Sequence, residues 1–338
     1  MAAACPQLAR AVAALEAVAP VGLAAKWDNV GLLVDASKPW APAATAAAAA
    51  AAAEYHVFFT NDLTTRVLEE AVAARAALIV TYHPTPFSAM KTFRMSHAGA
   101  AVVLTCAREG MAVYSPHTAL DVVPGGINDW LVDGVASALG GEAGAAAAGG
   151  TLFRRAVTPV APAAVATATS GAAAAGVAAL VAGAASIAGD GRVATLPQAV
   201  TLSALVRAVK AHLGLSAVQL ALPASDLAAT RAGSAAVTGA ADERLVRTFA
   251  VCAGSGASVL AGVAADVYIT GEMSHHEVLA ANYAGAAVIL THHSKCERGF
   301  LPVLSARFRA AWEHAATADT PALRTTISAV DADPLVIV

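Results

Sequence analysis

The sequence contains little charge and no cluster of basic residues. Only 13% of its 338 residues are charged, the formal net charge is -3, and no run of Lys or Arg occurs. A protein that binds nucleic acids generally needs a basic surface to neutralise phosphates. The composition therefore argues against direct binding of DNA or RNA, whereas it leaves room for a protein partner.

Cysteine is also scarce. Cys5, Cys106, Cys252 and Cys296 form no CxxC motif, which excludes a zinc knuckle and a thioredoxin-like site. We interpret Cys296 as a buried thiol and not as a metal ligand. The first twenty residues lack a basic start and a strong apolar core, so we expect no import signal. Free thiols indicate a reducing compartment; we favour the cytoplasm, with the nucleus and the mitochondrion as alternatives.

Long runs of large aliphatic residues are absent as well. The charge-free stretch 156–189 consists mostly of Ala, Gly, Ser and Thr, which gain little on transfer to lipid. We therefore expect no membrane span, and we interpret 151–196 as a low-complexity Ala/Gly-rich linker. The ranges 1–150 and 197–338 would then be two α/β lobes, the second of which completes the functional site.

The chain does contain a regular alternation of strand-like and helix-like segments. Segments 55–60, 77–84 and 111–117 have strand character, and helical spacing follows each of the first two. The same alternation returns in the C-terminal part of the chain, where 334–338 is predicted to be a final strand. Strands that alternate with helices predict parallel strands joined by crossover helices, and hence an α/β fold.

Histidines and carboxylates lie at the ends of three predicted strands. His83 ends one of them, while His117 and His293 end two others and are followed four residues later by Asp121 and Glu297. Open α/β sheets bind ligands outside the carboxyl ends of their strands. Nitrogen and carboxylate ligands together suit zinc, iron, manganese or nickel, and a carboxylate can bridge two ions. We predict a metal site if these ends converge; otherwise they form a polar edge.

Three other motifs admit two interpretations each. His275 and His276 open a predicted helix, where they are surface residues unless His276 supports a metal ligand from outside. Trp27 and Asn29 either line a pocket or simply precede a strand. The segment GSGAS at 254–258 lies between a strand and a helix, so its N–H groups suit an anion, although the Lys of a P-loop is missing.

Seven blocks of the sequence resemble the NGG-one-interacting-factor-three (NIF-three-like) family, also described as homologues of a type-two GTP cyclohydrolase one. The blocks are WDNVGLLVD, VFFTNDLTTRVLEEAV, IVTYHPTPF, VYSPHTALDVVPGGINDWL, VCAGSGASVL, ADVYITGEMSHHEVL and THHSKCERGFL. They occur in family order and span almost the whole chain. The resemblance implies two α/β lobes with mixed sheets covered by helices, a homohexameric ring and a dinuclear metal site.

The resemblance also implies the ligands. By the matching motifs, four side chains bind one or two divalent ions per chain: His83, Asp121, His293 and Glu297. His117 is either a further ligand or a support for one. Many bacterial members have two histidines where this chain has Tyr82 and His83. Tyr82 therefore replaces one expected ligand, so that a second ion binds weakly or uses Tyr82, His117 or water instead, and Tyr82 is either a ligand or a support for one. The chain resembles the eukaryotic-type short form.

Two functions of different kinds follow from the resemblance. One is a metal-dependent hydrolase of a small molecule such as a nucleotide. The other is a non-enzymatic metal-binding scaffold that handles metal or regulates transcription through a protein partner. A purely structural metal ranks last, because closed four-ligand sites are usually rich in cysteine.

Overall fold

The structure is a computed structural model, and it describes residues 5–36, 54–143, 153–160, 188–223, 226 and 244–337. The chain forms two compact units. The first unit contains the described residues up to Val123 together with Phe300–Ala332, and the second contains those of 124–299 and those from Asp333 onward.

The described residues form nine α-helices and eleven β-strands. In chain order these are α1 (Pro6–Val18), β1 (Gly31–Val34), β2 (Glu54–Thr60), α2 (Thr65–Ala73), β3 (Leu78–Thr81), α3 (Ala98–Glu109), β4 (Ala112–Ser115), α4 (His117–Val122), α5 (Ile127–Ala143), β5 (Phe153–Pro159), β6 (Gly189–Thr201), α6 (Leu202–Leu213), β7 (Gln219–Ala221), β8 (Leu245–Cys252), α7 (Ala257–Leu260), β9 (Val267–Thr270), α8 (His275–Tyr283), β10 (Ala287–Leu290), α9 (Leu301–His314) and β11 (Ala322–Ile327). None of these helices is long and apolar enough to cross a membrane.

The first unit is built on a five-stranded sheet of order β1-β4-β3-β2-β11. All neighbouring strands are parallel except β1, which runs antiparallel to β4. Side chains of β2 alternate between the two faces. Phe58 joins the core under α2 and α3, whereas Tyr55 and Phe59 contact Trp312 and Phe308 of α9. Helices therefore cover both faces, as crossover connections require.

The second unit is built on a six-stranded sheet of order β5-β6-β8-β9-β10-β7. Its strands β8, β9 and β10 are parallel, and β5, β6 and β7 pair antiparallel with their neighbours. Helices α5 and α6 contact the sheet through β6 and β8. Residues of α7 and α8 form a separate buried cluster with side chains of β6, β8, β9 and β10. Both sheets are mixed, and the predicted fold class is confirmed.

The register of each sheet aligns the carboxyl ends of three parallel strands. In the first sheet Thr60 of β2 pairs with Thr81 of β3, and β4 runs in register beside β3. In the second sheet Cys252 of β8 pairs with Thr270 of β9, which pairs with Leu290 of β10. Polar residues that follow these strands therefore gather at one edge of each sheet.

Three boundaries differ from the expected organisation. Strand β5 and much of β6 lie within 151–196, which the sequence indicated as a linker; residues 161–187 of that range lie outside the described residues. Residues 300–332 join the first unit because β11 pairs with β2. The prediction of a strand at 334–338 is wrong over the described residues 334–337, which form no strand. The last strand of the first sheet is β11, which pairs with β2.

Protonation of His56 in β2 is expected to make stability depend on pH. His56 is buried, and its ring contacts the carbonyl oxygen of Ala74 and the hydroxyl of Thr326, both at 2.9 Å. Burial, assisted by the charge of Arg324, lowers the pKa of His56 below its usual 6.5. As the pH falls below about 6.5, the unfolded chain therefore binds this proton before the folded chain does. The stability that neutral His56 contributes is fully present above about pH 6.5, the pKa of this side chain in the unfolded state. It is lost as the pH falls through the lower pKa of the folded state.

Urea unfolding at about pH 7.5 and about pH 5.5 measures this effect. We expect wild type to lose more stability between the two pH values than His56→Gln, which cannot titrate. His314→Gln is the control, since His314 is exposed at the end of α9. Equal pH dependence in His56→Gln and wild type would show that His56 does not contribute.

Candidate metal site

The carboxyl edge of the first sheet places a carboxylate against a histidine. Asp62 lies just beyond the end of β2, and His83 lies just beyond the end of β3. The backbone N–H groups of Tyr82 and His83 donate to the carbonyl oxygens of Thr60 and Asn61, which extends the ladder past the strands. His83 Nδ1 lies 2.8 Å from Asp62 Oδ1. The pairing directs Nδ1 of the ring to the carboxylate.

Tyr82 holds the predicted ligand Asp121. The Tyr82 hydroxyl donates to Asp121 Oδ1 at 2.6 Å, and Tyr82 is 3% exposed. Asp121 lies in α4, the short helix that follows β4. Ligating carboxylates are commonly fixed by such hydrogen bonds. The tyrosine that replaces an expected histidine therefore orients a neighbouring carboxylate.

His117 is fixed by Asp28. His117 Nδ1 lies 2.7 Å from Asp28 Oδ1, while the Thr118 hydroxyl and backbone N–H donate to Oδ2 at 2.5 and 3.2 Å. Burial raises the pKa of Asp28, but the hydrogen bonds from His117 and Thr118 outweigh burial, so the pKa lies below its usual value. His117 also has a φ of +26°, which non-glycine residues seldom adopt. Backbone and side chain are thus both constrained where β4 ends.

The carboxyl edge of the second sheet repeats the pairing of histidine with carboxylate. His293 follows β10, and its Nδ1 lies 2.9 Å from Oε1 of Glu272, which follows β9. The other ring nitrogen, Nε2, lies 3.4 Å from Glu297 Oε1. The Glu297 side chain is 2% exposed, whereas that of His293 is 37% exposed. A buried carboxylate thus lies beside a histidine that solvent reaches.

Two glycines make room for this arrangement. Gly254 follows β8 with a φ of +63°, and a Cβ there would lie 2.6 Å from Glu297 Oε1 and 3.0 Å from His293 Nε2. Gly271 follows β9, and a Cβ there would lie 2.5 Å from the Gly254 carbonyl oxygen and 2.8 Å from His293 Cα. The GSGAS segment considered for anion binding therefore starts with a residue whose missing side chain accommodates His293 and Glu297.

Cys296 lies between these two residues in sequence and is the buried thiol that the sequence indicated. Its Sγ accepts from the N–H of Gly254 at 3.2 Å and donates to the carbonyl oxygen of His293 at 3.0 Å. Burial, with the nearby charge of Glu297, raises the pKa of the Cys296 thiol well above its usual range. Because metals bind the thiolate form, Cys296 is a poor ligand.

His275 and His276 are exposed at the start of α8, and their rings contact each other with centroids 5.3 Å apart. Ser274 and Glu277 cap this helix by a reciprocal capping box, so neither histidine is needed as the cap.

Among the residues that the structure describes, each unit offers candidate metal ligands: His83 on the first unit, and His293 and Glu297 on the second. Two imidazoles and a carboxylate fit zinc and other divalent transition metals. Both histidines direct Nδ1 to a carboxylate, and metal-binding histidines almost always donate their other ring N–H to a carboxylate, a backbone carbonyl or a water. The space left by Gly254 also suits a compact group of ligands. The side chains present therefore fit a metal ion.

The carboxylates that orient the histidines were missed in the sequence. Asp62 and Glu272 follow strands closely in the segments TND and TGE, which is the signal that identified His83 and His293. The cap of α2 is Thr64, whose side chain accepts from the N–H of Val67. Asp62 can consequently pair with His83.

Two mixed α/β sheets with histidine–carboxylate pairs at their carboxyl edges define this chain as an α/β protein with a candidate metal site. The chain belongs to the Duf34/NIF3 (NGG1p interacting factor 3) family, whose model matches residues 6–334. The resemblance seen in the seven sequence blocks is thereby confirmed.

Relatives and solved structures agree with this assignment. The chain is 34% identical over 314 residues to a protein described as Protein NIF3 homolog of Schizosaccharomyces pombe, with 93% of this chain and 91% of the relative covered. It is 32% identical to NIF3-like protein 1 of Drosophila melanogaster, with 98% and 89% covered. The crystal structure of a Bacillus cereus protein related to NIF3 has the same fold, with a TM-score of 0.63, 19% identity and 98% of both chains covered.

Proposed function

We propose that this protein binds a divalent metal ion and hydrolyses a small molecule such as a nucleotide, in the manner of a type-two GTP cyclohydrolase. The observation that carries this proposal is the pairing of a histidine with a carboxylate at the carboxyl edge of each sheet, with His83 on the first sheet and His293 and Glu297 on the second. Two histidines and one glutamate are also the protein ligands of open catalytic zinc sites, which keep a position for water or substrate. Closed structural sites are instead usually rich in cysteine.

Each polar residue has a defined task in this proposal. His83, His293 and Glu297 hold the ion, while Asp62 and Glu272 fix the rings of the two histidines. Asp121 is a further ligand, oriented by the hydroxyl of Tyr82. His117 is a ligand or a support, held by Asp28, and His276 is left as an outer support. A bound divalent ion supplies Lewis acidity and lowers the pKa of its water toward neutrality.

The ligand chemistry limits which ions, and how many, we propose for this site. Zinc, iron, manganese and nickel all accept nitrogen and carboxylate ligands. Tyr82 contributes a hydroxyl, already hydrogen-bonded to Asp121, where two-histidine motifs contribute a second imidazole. We therefore propose one firmly held ion per chain, and a second one that binds more weakly if it binds at all.

Metal content tests this proposal directly. Protein purified without chelator would be analysed by mass spectrometry of the metals, for wild type, Glu297→Gln and Asp121→Asn. We expect wild type to retain about one ion per chain, and Glu297→Gln to lose most of it because a buried charged ligand is replaced by a neutral amide. Glu313→Gln is the matched control, since Glu313 is exposed on α9. Metal content equal in Glu297→Gln and in the control would overturn the assignment.

The non-enzymatic scaffold is the second candidate function. Exposure of 37% of the His293 side chain favours it, because an accessible ligand allows the ion to exchange with solvent or a partner. Turnover separates the two functions. Release of product from nucleotides by the metal-loaded protein supports the hydrolase, whereas exchangeable metal without turnover supports the scaffold.

The homohexameric ring, the protein partner in transcription and the cytoplasmic location are proposals that rest on the family resemblance and the composition. No described helix spans a membrane.

A further inference from the structure

Three aromatic rings, two of them exposed and one largely buried, form a cluster on the first unit. The ring centroids of Trp27, Phe87 and His117 lie 6.1 to 6.4 Å from one another, with interplanar angles of 55 to 79°. Trp27 is 68% exposed and Phe87 is 58% exposed. Single exposed apolar residues are common, but a contiguous exposed group next to polar residues is typical of ligand-binding surfaces.

Hydrogen bonds fix the two segments that carry the exposed rings. The Asn29 side-chain amide donates to the carbonyl oxygen of Pro86 at 2.7 Å, which ties the segment of Trp27 to that of Phe87. The next residue after Trp27, Asp28, is tied to His117 at 2.7 Å. The segment WDN therefore supplies a ring, a carboxylate that positions another ring, and an amide that positions the third. A surface fixed in advance loses less conformational entropy when a ligand binds.

The cluster is continuous with the candidate ligand His83. The ring of His117 contacts those of Trp27 and Phe87 and also those of Tyr82 and His83, at centroid distances of 5.5 and 5.4 Å. His83 thus lies one ring contact beyond His117, on the same unit as the exposed rings. This distance suits one substrate that contacts both places.

The charges near the cluster decide which ligand it fits. Asp28 is the neighbouring carboxylate, but its side chain is buried and already accepts hydrogen bonds from His117, Thr118 and the N–H of Asn29. Aromatic faces attract cations, but Asp28 is already committed to its own donors and adds little attraction for one. Flat ring faces also stack with another planar ring, which requires no charged partner.

We propose that the cluster of Trp27, Phe87 and His117 binds the planar heteroaromatic ring of the substrate, as in a nucleobase, and so places the rest of the molecule at His83. This inference rests on the proposed metal-dependent function and names the substrate class of the same site. Stacking of one base on aromatic side chains contributes roughly 5- to 100-fold in affinity. It also tolerates different bases, since every base has an aromatic face.

Binding of nucleoside monophosphates tests the proposal. The affinities of AMP, GMP, CMP and UMP would be compared with that of ribose 5-phosphate by calorimetry, so that the difference isolates the base. We expect at least one nucleotide to bind wild type roughly tenfold more tightly than ribose 5-phosphate. Trp27→Ala should lose most of that advantage and leave the affinity for ribose 5-phosphate unchanged, whereas Trp27→Phe should keep much of it.

Two controls make the result unambiguous. Tyr283→Ala removes an aromatic side chain that is 84% exposed at the end of α8, and it should bind nucleotides like wild type. The melting temperature of Trp27→Ala should also match that of wild type, because Trp27 is largely exposed. No advantage of any nucleotide over ribose 5-phosphate, or an equal advantage in Trp27→Ala and wild type, overturns the proposal.

Metal content of the same samples separates this inference from the proposed function. Trp27 offers no metal-binding atom, so Trp27→Ala should retain the metal of wild type. If wild type lacks metal but prefers nucleotides in a Trp27-dependent manner, the metal function fails and the aromatic site stands. If metal is present and Trp27→Ala binds nucleotides like wild type, the aromatic site alone fails.

Discussion

Asp129→Asn is expected to lower the free energy of unfolding by about 3 to 5 kcal/mol. Asp129 in α5 and Arg192 in β6 have side chains that are 1% and 0% exposed. Arg192 Nε and Nη2 donate to the two Asp129 oxygens at 3.0 and 2.8 Å, and the N–H of Gly125 donates to Oδ2 at 2.7 Å. The neutral amide would remove a negative charge that offsets the desolvation of this fully buried guanidinium.

Urea unfolding of matched variants measures this effect. Asp133→Asn is the control on the same helix, because Asp133 is 56% exposed and pairs with Arg154 at the surface; its loss should stay within about 1 kcal/mol. The double variant Asp129→Leu, Arg192→Met should recover much of the stability, since an apolar pair contains no unpaired charge. Equal unfolding midpoints for Asp129→Asn and Asp133→Asn would show that the buried pair does not stabilise this unit.

This ion pair connects stability with the candidate site inside the second unit. Asn128, the residue before Asp129, is fully buried, and its side-chain oxygen accepts from the N–H of Ala253 at 2.9 Å. Ala253 precedes Gly254, the glycine that lies against His293 and Glu297. The buried pair thus holds the helix that positions this backbone.

The alternation of elements and the polar strand ends were predictable, because both are local features. Strand β2 is rich in aromatic and aliphatic residues, and His83, His117 and His293 follow buried strands whose ends are visible in the sequence. When neighbouring parallel strands pair in register, their carboxyl ends lie side by side in the sheet. The residues that follow these ends are then neighbours as well. The return of β11 to β2 was not predictable from local pattern, since it joins residues more than 250 positions apart.

Strand β6 shows a second limit. Its start, GDGR at 189–192, has the composition of a turn and adjoins a low-complexity stretch. Arg192 is nevertheless buried, because its partner Asp129 lies 63 positions away in sequence. A buried polar residue has no local signature, and so the local pattern predicts a linker where this strand lies.

The candidate site also combines features that are local in the sequence with features that depend on distant residues. The histidines are visible as strand-end residues, but the pairing of His83 with Asp62 and of His293 with Glu272 depends on which strands are neighbours. Gly254 matters because it has no Cβ, which would lie too close to Glu297. In sequence the GSGAS segment resembles an anion-binding loop, and only the nearby Glu297 and His293 show why a glycine is required.

Gly254→Ala is expected to reduce metal affinity roughly 10- to 100-fold while the fold is retained. The added Cβ would lie 2.6 Å from Glu297 Oε1 and 3.0 Å from His293 Nε2. Both atoms are at the far ends of side chains, so they can move aside, but this movement displaces two proposed ligands. The φ of +63° adds a backbone cost of about 1 to 2 kcal/mol for any residue with a Cβ.

Gly262→Ala is the matched control, because Gly262 has a φ of +74° and no atom within 4 Å of an added Cβ. Both variants should lose a similar amount of stability, of about 1 to 2 kcal/mol, through the backbone. Only Gly254→Ala should lose metal affinity, measured by competition with a chromogenic chelator. An equal affinity in the two variants would mean that the space beside Glu297 and His293 is not needed for metal binding, and the metal-site proposal would lose its support from Gly254.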